Sequence, residues 1–113
     1  MIGRYTRPEM RDIWTEQRKL EIWLEIELLA AEALCGEGLV PKKHLRQMKA
    51  NASFSIKRCR ELERTLNHDV IAFTTNVGEN IGKPASRWLH FGLTSSDIID
   101  TAFAVQMNES LKI

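Results

Sequence analysis

Residues 90–97 read HFGLTSSD: a histidine, an aromatic, a glycine, and then three hydroxyls and an aspartate within four positions. The run that follows, IIDTAFAVQMNESLKI, reads as a helix. One hydroxyl suffices to cap a helix start by accepting a free backbone N–H. Thr94 and Asp97 have the spacing of a capping box, with Ser95 and Ile98 as the alternative frame. That leaves Ser95, Ser96 and His90 as surplus donors. Gly92 can take a positive φ or let a ligand approach the backbone closely. No feature marks a serine as an activated nucleophile, so the chemistry this cluster suggests is anion binding.

Two other stretches carry the same chemistry. In TLNHDVIAF, residues 65–73, His68 stands where one helix ends and Asp69 falls in the first turn of the next. There a carboxylate suits the positive dipole end, and free N–H groups beside an imidazole can hold an anion. The plain alternative is a cap plus a surface histidine. In GRYTRPEM, residues 3–10, Arg4 and Arg7 flank Tyr5. An arginine there can pair with phosphate and a tyrosine can stack or hydrogen-bond. Taken alone, the stretch reads as a solvated terminus.

The elements that must position these residues are helical. From Met10 to about Cys35, Leu20, Trp23, Leu24, Leu28, Ala31 and Leu34 recur at spacings of three and four, and Ile22, Ile26 and Leu29 widen the stripe. Glu16, Glu21, Glu25 and Glu32 mark the wetter side. Gly36, Gly38 and Pro41 end this helix. A second helix after Pro41 carries Leu45 and Met48. NASFS interrupts, and Ser53 or Ser55 caps a third with Ile56, Cys59, Leu62 and Leu66. A fourth opens at Asn67 or Asp69 and runs through Phe73 to Ile81, before Gly82 and KPAS. The last begins near Thr94 or Ser95. No alternating strand pattern is present, so the fold class is all-α: one domain over residues 1–113, of about five helices. Trp14, Trp23, Phe73 and Trp88 read as core aromatics, and His44 as a solvated histidine on a short polar helix.

Composition narrows the function. The chain has 113 residues, 43% hydrophobic and 27% charged, with a net charge of +1. Such a balance gives no reason to expect nucleic acid or a membrane as partner, and no apolar run approaches the length of a membrane span. Cys35 and Cys59 lie inside helical segments without zinc-ligand neighbours, and read as reduced core thiols of a cytoplasmic protein. The C-terminal ESLKI lies inside a helix with no stop signal, which suggests a piece of a longer chain, with a frayed natural end as the alternative.

Read together, RYTRPEM, NHDVIAFT and WLHFGLTSSDIIDTA, with KANASF at residues 49–54, resemble the N-terminal domain of the adenylosuccinate lyase family, within the fumarase/aspartase superfamily. TSSD alone would suggest only the superfamily. RYTRPEM with HDVIAFT is what points to the purine-pathway member. The resemblance implies β-elimination of fumarate from adenylosuccinate and from the succinyl-carboxamide ribotide, without a cofactor. It also implies a homotetramer whose sites draw on three subunits. Arg4 and Tyr5 match the nucleotide-contacting pair. Asn67, His68 and Asp69 match a second substrate segment, in which relatives often have a basic residue at position 67. Thr94 and Ser95 match the hydroxyls on the succinyl carboxylate, and His90 a histidine near the phosphate. The family's signature loop of glycine, serines and Met-Pro-x-Lys-x-Asn, its general-acid histidine and its central helical bundle are absent from residues 1–113. These residues are therefore expected to bind substrate and to be inactive alone, with His68 the one candidate for proton transfer. A sister lyase, such as argininosuccinate lyase, fumarase or a cycloisomerase, and a non-enzymatic helical interaction module are the competing readings.

Overall fold

The computed structural model describes residues 8–112, which form six α-helices and one 3-10 helix. The helices are α1 (Pro8–Ile13), α2 (Glu16–Gly36), α3 (Lys42–Asn51), α4 (Ile56–Leu66), α5 (Asp69–Ile81) and α6 (Ser95–Leu111), with the 3-10 helix at Ala85–Trp88. No strand occurs among the described residues. The all-α expectation holds.

The expected first helix is two. Thr15 divides it, because its hydroxyl donates to the Asp12 carbonyl (3.1 Å) and accepts from the Arg18 N–H (3.1 Å), closing α1 and capping α2 at once. Distant residues favour the break. Gln106 of α6 donates to the Ile13 carbonyl (2.9 Å), one of the carbonyls α1 leaves without a helical partner. The Trp14 indole donates to Ser110 Oγ (2.9 Å). The later boundaries follow local signals: Ser55 caps α4 by accepting from the Arg58 N–H, and Gly38 takes φ +83° in the turn after α2.

The core is a Trp23–Phe73–Phe54 chain of edge-on aromatic contacts, with ring centroids 5.5 and 5.7 Å apart. Leu20, Ile22 and Ala31 of α2, Met48, Cys59, Val70, Val77, Ile81, Ile98 and Ala102 close around it. α4 lies along α5, and α2 along α6. Leu29 is not part of the stripe: it is 63% exposed. Trp14 and Trp88 are half-buried rather than core, each edge-on to an exposed ring, Phe103 and Phe91 respectively. Cys59 is buried and Cys35 half-buried, both free thiols, and burial pushes the Cys59 thiol up from its ordinary value. His44 is not solvated: it is half-buried, and its Nδ1 accepts from the Trp88 indole N–H (3.0 Å).

Buried Asn76 ties α5 to the start of α4 by accepting the Ser55 N–H at 2.7 Å. Charge ties α6 to α2: Arg18 Nε donates to Glu109 Oε1 (3.3 Å), and this hydrogen bond holds the Glu109 carboxyl below its ordinary value. A carboxyl depressed in the fold adds stability that is present above its unfolded pKa, about 4.3, and is lost as pH falls through the folded value. Glu109→Gln should therefore lower stability at pH 7 by less than about 1 kcal/mol. In thermal melts the gap from wild type should close on acidification below about pH 4. A gap that stays constant through that range would show that Glu109 acts through packing rather than charge.

Candidate functional site

His68, not Asn67 or Asp69, caps α5. Its backbone is extended (φ −153°), and Nδ1 accepts from the Ile71 N–H at 3.2 Å. An Nδ1 that accepts carries no proton, so the ring proton sits on Nε2. Nε2 lies 3.2 Å from Ser95 Oγ, the first residue of α6, and therefore donates to it. With one lone pair engaged by His68, the Ser95 hydroxyl keeps its own hydrogen to donate outward. His68 thus joins the first turns of α5 and α6, where free N–H groups and both positive dipole ends gather.

Thr94 caps α6. Its hydroxyl accepts from the Asp97 N–H (3.3 Å), and Asp97 Oδ2 accepts from the Thr94 N–H (2.8 Å), a complete capping box. Capping therefore uses one lone pair of the Thr94 hydroxyl and the Asp97 carboxylate, and the Thr94 and Ser95 hydroxyls each keep a hydrogen to donate. Asn67 serves as the C-cap of α4 in the left-handed region (φ 53°), its N–H donating to the Glu63 carbonyl (2.8 Å). Its side chain is exposed. Asp69 Oδ1 accepts from its neighbour's amide, Val70 N–H (2.8 Å), and lies 3.9 Å from His68 Nδ1. Asp69 also lines a cleft of about 330 Å³ with Glu16, Lys19, Trp23, Arg60 and Glu63, which contains neither His68 nor Ser95. Arg4 and Tyr5 lie outside the described residues.

His90 sits apart from this pair. It has φ 59°, an uncommon conformation for a side chain larger than glycine, and Gly92 follows at φ 76°. Sequence reasoning missed what holds it: Glu27, 1% exposed on α2. The His90 N–H donates to Glu27 Oε1 (2.6 Å), and His90 Nδ1 lies 2.7 Å from Oε2. The signal was available, since residue 27 falls between Trp23 and Ala31 on the apolar stripe, where an unpaired carboxylate would be costly. The segment leading to His90 is fastened as well. Gln47 donates to the Ile81 carbonyl (2.9 Å), and the Trp88 indole to His44.

The lyase family matches residues 3–113 of this chain.

The chain belongs to that family.

Among curated relatives of this lyase chain, the adenylosuccinate lyase of Bacillus subtilis (strain 168) is 46% identical over 97% of the chain. The adenylosuccinate lyase of Synechocystis sp. is 48% identical over the whole of this chain. The chain spans about a quarter of either relative, 25% and 26% respectively. Two crystal structures share the fold. A fumarate lyase from Mesorhizobium sp. BNC1 matches at TM-score 0.86 and 23% identity, over 99% of this chain and 27% of that one. A 3-carboxy-cis,cis-muconate lactonizing enzyme from Pseudomonas putida matches at TM-score 0.86 and 29% identity, over 96% and 26%.

Because His68 both caps and donates, its two duties can be separated. Asparagine is a good cap but too short to carry the donor out to Ser95. His68→Asn in the lyase should keep its melting temperature while losing roughly ten-fold or more in kcat/KM. Unchanged kcat/KM would reduce His68 to a cap. Thr94→Ala should cost about 1 kcal/mol of stability through its lost capping box. Ser95→Ala should instead harm turnover with little change in melting temperature. The reverse pattern would show that cap and ligand donor are exchanged.

Proposed function

We propose that this chain is the N-terminal, substrate-binding domain of an adenylosuccinate lyase that acts in the cytoplasm as a homotetramer. The reaction is β-elimination. A base removes the proton next to a substrate carboxylate, the electron pair forms the new double bond, the C–N bond breaks, and an acid protonates the leaving nitrogen. The products are fumarate and AMP, or the carboxamide ribotide from the earlier substrate of the same pathway. The steps are acid–base steps, and the proposal assigns no cofactor.

The His68–Ser95 hydrogen bond at the joined starts of α5 and α6 is the observation that carries this reading. It builds an outward-facing donor at a doubly positive locus, suited to a carboxylate of the succinyl group. The alignment of nearly all of this chain with about a quarter of each of two adenylosuccinate lyases supports the choice of substrate. Arg4 and Tyr5 are assigned to the nucleotide, His90 to its phosphate side, and Asn67 and Asp69 to the rim of the site. The base and acid are assigned to parts of the enzyme beyond residues 1–113.

Residues 1–113 alone should release no fumarate from adenylosuccinate, whereas AMP should shift the NMR signals of His68 and Tyr5. A response to fumarate without any to AMP would favour a sister lyase. A response to neither would favour a helical docking module, and fumarate release at an enzymatic rate would overturn the assignment of acid and base elsewhere.

A further inference from the structure

We propose that Glu27 is a positioning residue for anion recognition: its buried carboxylate fixes the His90 ring with Nδ1 protonated and presents Nε2 to the substrate. The inference rests on the substrate-binding role assigned to His90 above, and adds a residue that lies outside every segment suggested by the motifs.

Both carboxylate oxygens of Glu27 are used on one residue. Oε1 takes the His90 backbone N–H (2.6 Å) and Oε2 faces Nδ1 (2.7 Å). A backbone N–H can only donate, and a carboxylate only accepts, so Nδ1 must carry a proton. The ring is then held in the tautomer opposite to that of His68, whose Nδ1 is bare. The consequence is a division of labour. Both nitrogens of His68 are committed within the fold, whereas Nε2 of His90 has no partner among the described residues, on a side chain 24% exposed. A carboxylate behind Nδ1 fixes the orientation of the ring and leaves Nε2 as its one open position. A bare Nε2 only accepts, so an anion held there binds with a proton taken up on Nε2, and the ring then carries its charge between that anion and Glu27; without the Glu27 carboxylate, the contact is reduced to that of a neutral donor. Supporting the turn alone would not require a charge, because the backbone contact to Oε1 could be made by any acceptor. The second oxygen, aimed at the ring, is what a structural role leaves unexplained. The grip on the His90 N–H also fixes the strained turn that runs, four residues later, into Thr94 and Ser95.

Substituting glutamine tests this directly. In Glu27→Gln the amide oxygen can still accept the His90 N–H, but the amide nitrogen must donate to Nδ1, which inverts the tautomer. Nitrogen-15 NMR of the 113-residue chain, which holds three histidines, reads which ring nitrogen is protonated. The expected result is Nδ1–H for His90 in the wild type and Nε2–H in Glu27→Gln. In the intact lyase the same variant should raise KM for adenylosuccinate roughly ten-fold with kcat changed less than about three-fold. Inhibition by AMP and by fumarate identifies the anion: weakened AMP with unchanged fumarate marks the phosphate, and the converse marks a carboxylate. A bare Nδ1 on His90 in the wild type would overturn the proposal without any variant. So would a Glu27→Gln enzyme that loses only melting temperature, with KM and both inhibition constants unmoved. The tautomer measurement decides Glu27 whatever the wild-type enzyme does with adenylosuccinate, so failure of the functional reading is seen separately.

Discussion

The edge-on contact between Trp23 and Phe73 joins the two halves of the core, α2 with α6 on one side and α4 with α5 on the other. It ties α5 to α2 through one pair of rings, and α6 lies along α2 with Ile98 and Ala102 in the same core. With both helices referenced to α2, their first turns fall side by side, and His68 can reach Ser95. Aromatic pairs of this kind contribute about 0.5–1.5 kcal/mol beyond the area they bury. Their geometric effect is larger, because a close-packed interior transmits displacement rather than absorbing it. A hydrogen bond between two helix starts tolerates little of that displacement.

α2 also supplies the second anchor. A carboxylate in the middle of its apolar face is tolerable only because His90 satisfies both oxygens, and His90 tolerates a left-handed backbone only because Glu27 holds it. Both demands are met within one contact. The result is a connection between α5 and α6 that is long but fastened, at Gln47, at His44 and at Glu27, before it delivers Thr94 to its cap. Donors that bind an anion well are those already in place when it arrives.

What the sequence made legible was local. The Thr94–Asp97 box, the Ser55 cap and the stripe of α2 are patterns of three or four residues, and the energies that form them act over the same span. The break at Thr15 was not legible, because α6 stabilises it through Gln106 and Ser110, more than ninety positions away. From the sequence alone the start of α5 falls at Asn67 or Asp69, with His68 as a cap only an alternative, because histidine is not a usual capping residue. It becomes one here because Nδ1 accepts from the Ile71 N–H, which leaves the ring proton on Nε2 to reach Ser95. Glu27 was hidden for the opposite reason: a single acidic residue within an apolar stripe reads as noise until its partner is found in a loop sixty-three positions on. Of the candidate site, the residue types and the Thr94–Asp97 capping box were readable. The pairings were not, since each depends on which helix lies beside which.

The same pairings bear on proton transfer. A general acid or base must change protonation state in every turnover. Were His68 to take a proton on Nδ1, the Ile71 N–H would lose its acceptor, and α5 would lose its cap, a penalty of about 0.5–2 kcal/mol in each cycle. Were it to give up the proton on Nε2, Ser95 would lose the donor that orients it. Either change would disturb the helix starts to which substrate binding is assigned in the proposal. A group so placed serves best with its proton fixed. The proposed division, with anion binding here and proton carriers elsewhere in the enzyme, follows from how the two ring nitrogens of His68 are already spent.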